Sequence, residues 1–317
     1  MERIQAAIAK ARATREATRS EAPARPAPSD TPSGTADVIE STPMPEASPG
    51  PAPEPAPAAD IPAADIPGTE APAPALSPED TWAEMPVLKV RPRTLIRRRI
   101  TALEGGSGTK EIDQLRTRIL QQMRARGWKR LAITSPSPGC GKTYLAVNLG
   151  FSLARQTDQR AVVGELDLRR PTMAKLLGIT DRASFGRVLA GEAVVEDCAV
   201  RASRNLAFLT NASSTRNSAE LLQSARAKRV LDEIEARLAP TITLFDLPPM
   251  QQGDDALAFA ERVDCMLIVA AAGQTTVREI DVCERDLAAQ TNVLGVVLNK
   301  CRYMPAESGY GSYGGYD

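Results

Sequence analysis

Residues 130–149, RLAITSPSPGCGKTYLAVNL, constrain the fold more than any other stretch of the chain. An apolar run predicts a strand over 131–134. A turn-rich loop follows and closes on Gly139-Cys140-Gly141-Lys142-Thr143, directly before an apolar-striped helix. Strand, glycine-rich loop and helix in that order are the context of a phosphate-binding loop. Glycines let the backbone approach a polyphosphate, and consecutive N–H groups at the helix start supply partial positive charge. Lys142 is then set to reach the β- and γ-phosphates, and the Thr143 hydroxyl to hold Mg²⁺. Pro136 stands where the strict G-x-x-x-x-G-K-[ST] spacing has its first glycine.

Composition divides the 317 residues unevenly, because most of the 25 prolines precede Val87. The remainder, roughly 200 residues, is enough for one α/β domain. The formal net charge is +0, so no global field selects nucleic acid, and few aromatics accompany the basic residues. Five cysteines with no C-x-x-C and no histidine exclude a zinc site of the usual kind. They read as small apolar residues in a reducing cytoplasm. No apolar run approaches the roughly 18 residues that span a bilayer, and the N-terminus has no signal-peptide pattern, so a soluble chain is expected.

Four regions follow. Residues 1–20 predict a short amphipathic helix, with Ile4, Ala7, Ile8 and Ala11 at helical spacing; it reads either as a docking helix or as a surface helix. Residues 21–100 are expected to be a disordered Pro/Ala-rich linker ending in a basic run, Lys89, Arg91, Arg93, Arg97, Arg98 and Arg99. That run suits either an anionic membrane surface or a solvated linker edge. Residues 101–301 form the phosphate-loop domain, and residues 302–317 a flexible tyrosine-rich tail.

Within the domain a helix is expected over 110–126, with Ile112, Leu115, Ile119 and Met123 as its buried stripe. Lys110, Asp113 and Arg116 share another face, either solvated or paired with a neighbouring subunit. A buried strand over 161–166 carries Glu165 and Asp167 to its C-terminal end, the ligand edge of an open α/β sheet. Arg169 and Arg170 follow, as phosphate contacts, subunit contacts or helix-start decoration. Helices near 172–178 and 183–189, a strand over 206–210 and one long helix over 218–238 lead to a strand over 241–245 that closes on Asp246. An acid at the end of a hydrophobic strand, downstream of a phosphate loop, is the second metal-side carboxylate of such proteins. Further strands over 265–271 and 293–298, a helix over 275–289, and no hairpin signals argue for a largely parallel sheet covered on both faces.

The domain resembles the bacterial tyrosine kinases of capsule and exopolysaccharide synthesis, within the wider ParA/MinD-type P-loop ATPases. The matching stretches are LRT at 115–117, ITSPSPGCGKT, LDLRRP, LLGI, NxxELL at 217–222, DLPP, and GVVLNK at 295–300. IQAAIAKARATRE near the start is similar to the leader of members that work with exopolysaccharide export systems. The resemblance implies an ATP- and Mg²⁺-dependent kinase with a P-loop NTPase fold. It sets Gly139, Cys140, Gly141, Lys142, Thr143, Tyr144 and Asn299 around the nucleotide, and Thr143, Asp167 and Asp246 around the metal. Glu165 takes the place of the acid that accepts the tyrosine proton. Tyr303, Tyr310, Tyr313 and Tyr316 correspond to an autophosphorylation cluster, modified between subunits of a homo-oligomer. The implied activator is an inner-membrane polysaccharide chain-length (co-polymerase) protein, with this chain cytoplasmic and docked through it.

Three departures stand out. Glu165 replaces an Asp, and one methylene moves a carboxylate by about 1 Å, a misplacement that can cost on the order of 10²-fold in rate. Cys140 occupies a position where Glu or Ala is common, and a thiol among N–H donors invites a lowered pKa and redox sensitivity. Lys110, Asp113 and Arg116 stand in for an E-x-x-R-x-x-R oligomerisation pattern with two charges reversed. The alternative is an ATPase switch of ParA/MinD type without phosphotransfer. Against it, no second lysine precedes Gly139 in the loop.

Overall fold

Buried apolar runs pair into one seven-stranded sheet in the order β3-β4-β2-β5-β1-β6-β7. The strands are β1 (Arg130–Thr134), β2 (Ala161–Glu165), β3 (Ala199–Ser203), β4 (Leu206–Leu209), β5 (Ile242–Asp246), β6 (Cys265–Ala271) and β7 (Asn292–Asn299). The structure is a computed structural model that describes residues 77–106, 109–180 and 182–301. The expected helix over 1–20, the linker up to residue 76 and the tail 302–317 lie outside the described residues.

All strand pairs are parallel except β3 with β4. Alternation sends successive side chains to opposite faces. Leu131, Val163, Leu244 and Leu267 enter one apolar cluster, with the helices Lys110–Arg126 and Lys142–Ala154. Ala132, Val162, Phe245 and Met266 enter the other, with the helices Ala225–Leu238 and Asp255–Ala260. Both faces are covered, the arrangement that near-continuous apolar strands require.

Four expectations need correction. The 218–238 helix breaks at Ser224, whose backbone is extended; it ends Ser218–Gln223 and caps Ala225–Leu238 by accepting from the Ala227 amide at 3.0 Å. Serine outcompetes helix continuation where its hydroxyl can cap. The β3–β4 hairpin turns at Arg204-Asn205 with no glycine to announce it. Asn205 holds it in place by donating to the carbonyls of Gln156 and Gln159 at 2.9 and 2.7 Å.

Third, residues 77–100 belong to the fold rather than to a disordered linker. Ser77 caps the helix Pro78–Glu84, Trp82 is 3% exposed, and its Nε1 donates to the Leu238 carbonyl at 2.8 Å. Val87 bridges Arg201 in parallel, and the helix Pro92–Arg97 buries Leu95. Both helices begin with proline, which starts a helix as readily as it breaks one. Last, the face of Lys110, Asp113 and Arg116 is only partly solvated: Lys110 is exposed, while Asp113 and Arg116 are half-buried and paired within the chain. Asp113 accepts from Ser152 at 2.5 Å and from Arg155, and Arg116 donates to the Ser152 carbonyl at 3.0 Å. These pairs tie Lys110–Arg126 to the end of Lys142–Ala154.

Candidate active site

The parallel strands deliver the predicted site residues to one edge. Ile133, the penultimate residue of β1, lies opposite Asp246 at the end of β5, and Asp246 lies opposite Glu165 at the end of β2. The loop after β1 turns through Gly139 (φ 78) and Gly141 (φ 92), left-handed values that glycine adopts without strain. A side chain at Gly141 would also collide with Asn299, whose Nδ2 donates to the Cys140 carbonyl at 2.8 Å from the end of β7. Asn299 therefore braces the loop.

Lys142 begins the phosphate helix and is buried; its Nζ meets the Asp167 carboxylate at 2.9 Å. Burial pulls the ammonium pKa down, but Asp246 and Asp167 outweigh it and hold the value above that of a free lysine. Asp246 is fully buried, and neither of its oxygens has a hydrogen-bond partner among the described residues. Burial pushes its pKa up to about 6, against the pull of the Lys142 charge and of the Thr143 hydroxyl, which lies near the carboxylate without forming a hydrogen bond to it. A buried carboxylate left without donors is costly, so an oxygen-seeking cation, or water held by one, fits beside Thr143, Asp167 and Asp246. Among the described residues no group of three or more His, Cys, Asp or Glu could cage a metal alone. That suits Mg²⁺, which takes one or two carboxylates and completes its shell with water and phosphate.

Glu165 is engaged differently from its expected role. Its carboxylate accepts from the amides of Thr172 (2.6 Å), Met173 (2.7 Å) and Asn211 (3.0 Å), is fully buried, and does not line the cleft. Burial raises its pKa to about 7 against the pull of those amides. Cys140 is buried, with its thiol on the Ser137 carbonyl at 3.2 Å; burial raises its pKa, but the hydroxyls of Thr275 and Ser137 outweigh it and leave the value lowered. Tyr144 stays 45% exposed at the cleft wall. Arg169 turns away to pair with the buried Asp255 at 2.9 Å.

The cleft measures about 930 Å³. Besides the loop it is lined by Thr101 and by Arg98 and Arg99, two residues of the stretch expected to be a linker. Asn148 holds them there: its Oδ1 accepts from the amides of Thr101 (3.0 Å) and Ala102 (3.1 Å), and its Nδ2 donates to the Arg99 carbonyl (3.1 Å). A buried Asn in an otherwise apolar helix was the available signal for this strap. Tyr303, Tyr310, Tyr313 and Tyr316 lie outside the described residues.

The tyrosine-protein kinase YwqD of Bacillus subtilis is 31% identical over 206 residues, covering 64% of this chain and 85% of YwqD. The chain belongs to the bacterial tyrosine-protein kinases. The tyrosine-protein kinase Wzc of Salmonella typhimurium is 28% identical over 208 residues, 65% of this chain but only 28% of Wzc, so this bacterial tyrosine kinase spans about a quarter of that relative. The kinase domain of VpsO superimposes with a TM-score of 0.54 at 27% identity, over 60% of this chain and 93% of that domain. No protein-family model matches the chain.

Proposed function

We propose that the chain transfers the γ-phosphoryl group of ATP to tyrosine hydroxyls, with Tyr303, Tyr310, Tyr313 and Tyr316 of a second copy as acceptors. The observation that carries this reading is the unpartnered, buried Asp246 carboxylate beside a phosphate loop in a chain of this family. Lys142 and the loop amides bind the phosphates, Asn299 braces the loop, and Thr143, Asp167 and Asp246 hold Mg²⁺. When bound, the metal neutralises charge on the phosphates and orients them. The tyrosine oxygen forms the new P–O bond as the bond to ADP breaks, and the phenolic proton leaves to a base.

The resemblance extends the reading to regulation of capsule or exopolysaccharide synthesis and export. It supports an inner-membrane polysaccharide chain-length protein as activator, with this chain docked at the cytoplasmic face. Among the described residues no helix is long and apolar enough to cross a membrane. Each phosphotyrosine adds about −1.5 to −2 charge, and four add roughly −6 to −8, enough to drive apart the copies of a weakly held homo-oligomer.

The burial of Glu165 against three amides favours a second reading, an ATPase switch without phosphotransfer. Incubation of the purified chain with ATP and Mg²⁺ separates the two. Phosphotyrosine in peptides covering 302–317 supports the kinase. Release of inorganic phosphate with an unmodified tail, even with the partner's cytoplasmic segment present, supports the switch.

A further inference from the structure

The cleft is more cationic than a chain of zero net charge requires. Arg98, Arg99, Lys142, Arg170, Lys175 and Lys300 line it, against Asp167 as the one lining carboxylate. Two of these cations are already engaged. Lys142 is paired with Asp167, and Arg98 donates to the carbonyls of Lys175 and Leu176 at 3.1 and 3.0 Å. Arg99, Arg170, Lys175 and Lys300 are exposed, and their side chains have no hydrogen bond or ion pair among the described residues.

The wall that carries Arg99 and Lys175 is built rather than incidental. Arg98 joins the strap to the helix Met173–Leu177, and Asn148 pins the strap to the phosphate helix. Arg99 is held at φ 63, a left-handed conformation that residues with a Cβ adopt only under strain. Such strain persists only where its surroundings impose it, and it concentrates at ligand sites.

We propose that Arg99 and Lys175, with Arg170 lining the same cleft, form a second anion subsite for a phosphotyrosine already present on the acceptor segment. The proposal rests on the kinase reading and names its preferred substrate. Tyr310, Tyr313 and Tyr316 recur every three residues, about 10 Å apart in an extended chain. Before modification, Glu307 and Asp317 are the only acidic side chains of the tail, which makes it a weak ligand for four cations. One phosphotyrosine adds a near-dianion with three acceptor oxygens, the chemistry that unpaired Arg and Lys recognise. The first transfer thus primes the next, and the tail is modified in bursts rather than at random.

The test uses the full chain and two synthetic peptides, GYGSYGGYD (residues 309–317) and the same peptide phosphorylated at Tyr313. The KM of the phosphorylated peptide should be about tenfold lower at similar kcat, and anisotropy should show the same preference. In the Arg99→Ala, Lys175→Ala double variant the preference should fall to about threefold or less, with an ATP-induced thermal shift confirming the fold. Equal KM values in the parent overturn the subsite and leave the kinase reading intact. A preference that persists in the double variant overturns the assignment to this wall. A parent that phosphorylates neither peptide but binds the phosphorylated one about tenfold more tightly supports the subsite and sinks the kinase reading instead.

Discussion

Glu165 shows how one carboxylate can be fixed by its neighbours before chemistry begins. Three backbone amides converge on it, from the start of the helix Met173–Leu177 and from the residue after Thr210. Glu165→Ala leaves those donors unpaired in the interior, and each orphaned group costs about 1–3 kcal/mol. The variant should therefore lose at least about 3 kcal/mol in a urea titration; an unchanged midpoint would show that the amides find other partners. Burial also sets a pH dependence. Glu165 is raised from 4.5 to about 7 and Asp246 from 3.8 to about 6, so the folded state holds these protons more tightly than the unfolded chain. Their contribution is complete below the unfolded values and is lost as pH rises through the folded ones. Thermal unfolding of the chain without Mg²⁺ should show declining stability from pH 4.5 to 7 from these two groups, and Mg²⁺ with ATP should restore stability at the upper end. An identical decline in Asp246→Asn would remove Asp246 from that explanation.

Among the elements, the strap at 98–102 matters most to the cleft, and it was the least legible. The phosphate loop could be read directly because all its parts lie within twenty consecutive residues. The sheet was legible because buried strands are apolar on both faces. The strap could not be read, because its place depends on Asn148, a residue 46 to 49 positions away. Its arginines look the same in a linker as in a cleft. Ser224 gives the opposite lesson: helical periodicity continued across it, and a local cap still won. Asn148→Ala should free the strap, so trypsin cleaves after Arg98 and Arg99 at least about tenfold faster while the rest of the domain resists. Equal cleavage rates would mean that Leu95 and Ile100, both buried, anchor the strap unaided.

For the whole molecule, the boundary of the folded unit lies earlier than composition suggests. Proline density marks where a core is unlikely, but it does not mark single side chains such as Trp82 and Met85 that complete one. A chain starting at residue 77 should unfold cooperatively with the stability of the full chain. One starting at residue 101 lacks Trp82, Met85 and Leu95 and should lose several kcal/mol, since Trp82→Ala alone should cost about 3–5 kcal/mol. Equal stability of the two truncations would return 77–100 to the linker. These ordered residues also bring two arginines to the nucleotide edge, which joins the amino-terminal part of the folded unit to its chemistry.

The most direct measurement is mass spectrometry of the tail after incubation of the full chain with ATP and Mg²⁺, beside Lys142→Ala treated in the same way. Phosphate should appear on Tyr303, Tyr310, Tyr313 or Tyr316 in the parent and be absent in the variant. Tail tyrosines that stay unmodified while the parent binds ATP, or equal modification in Lys142→Ala, would contradict a kinase built on this phosphate loop.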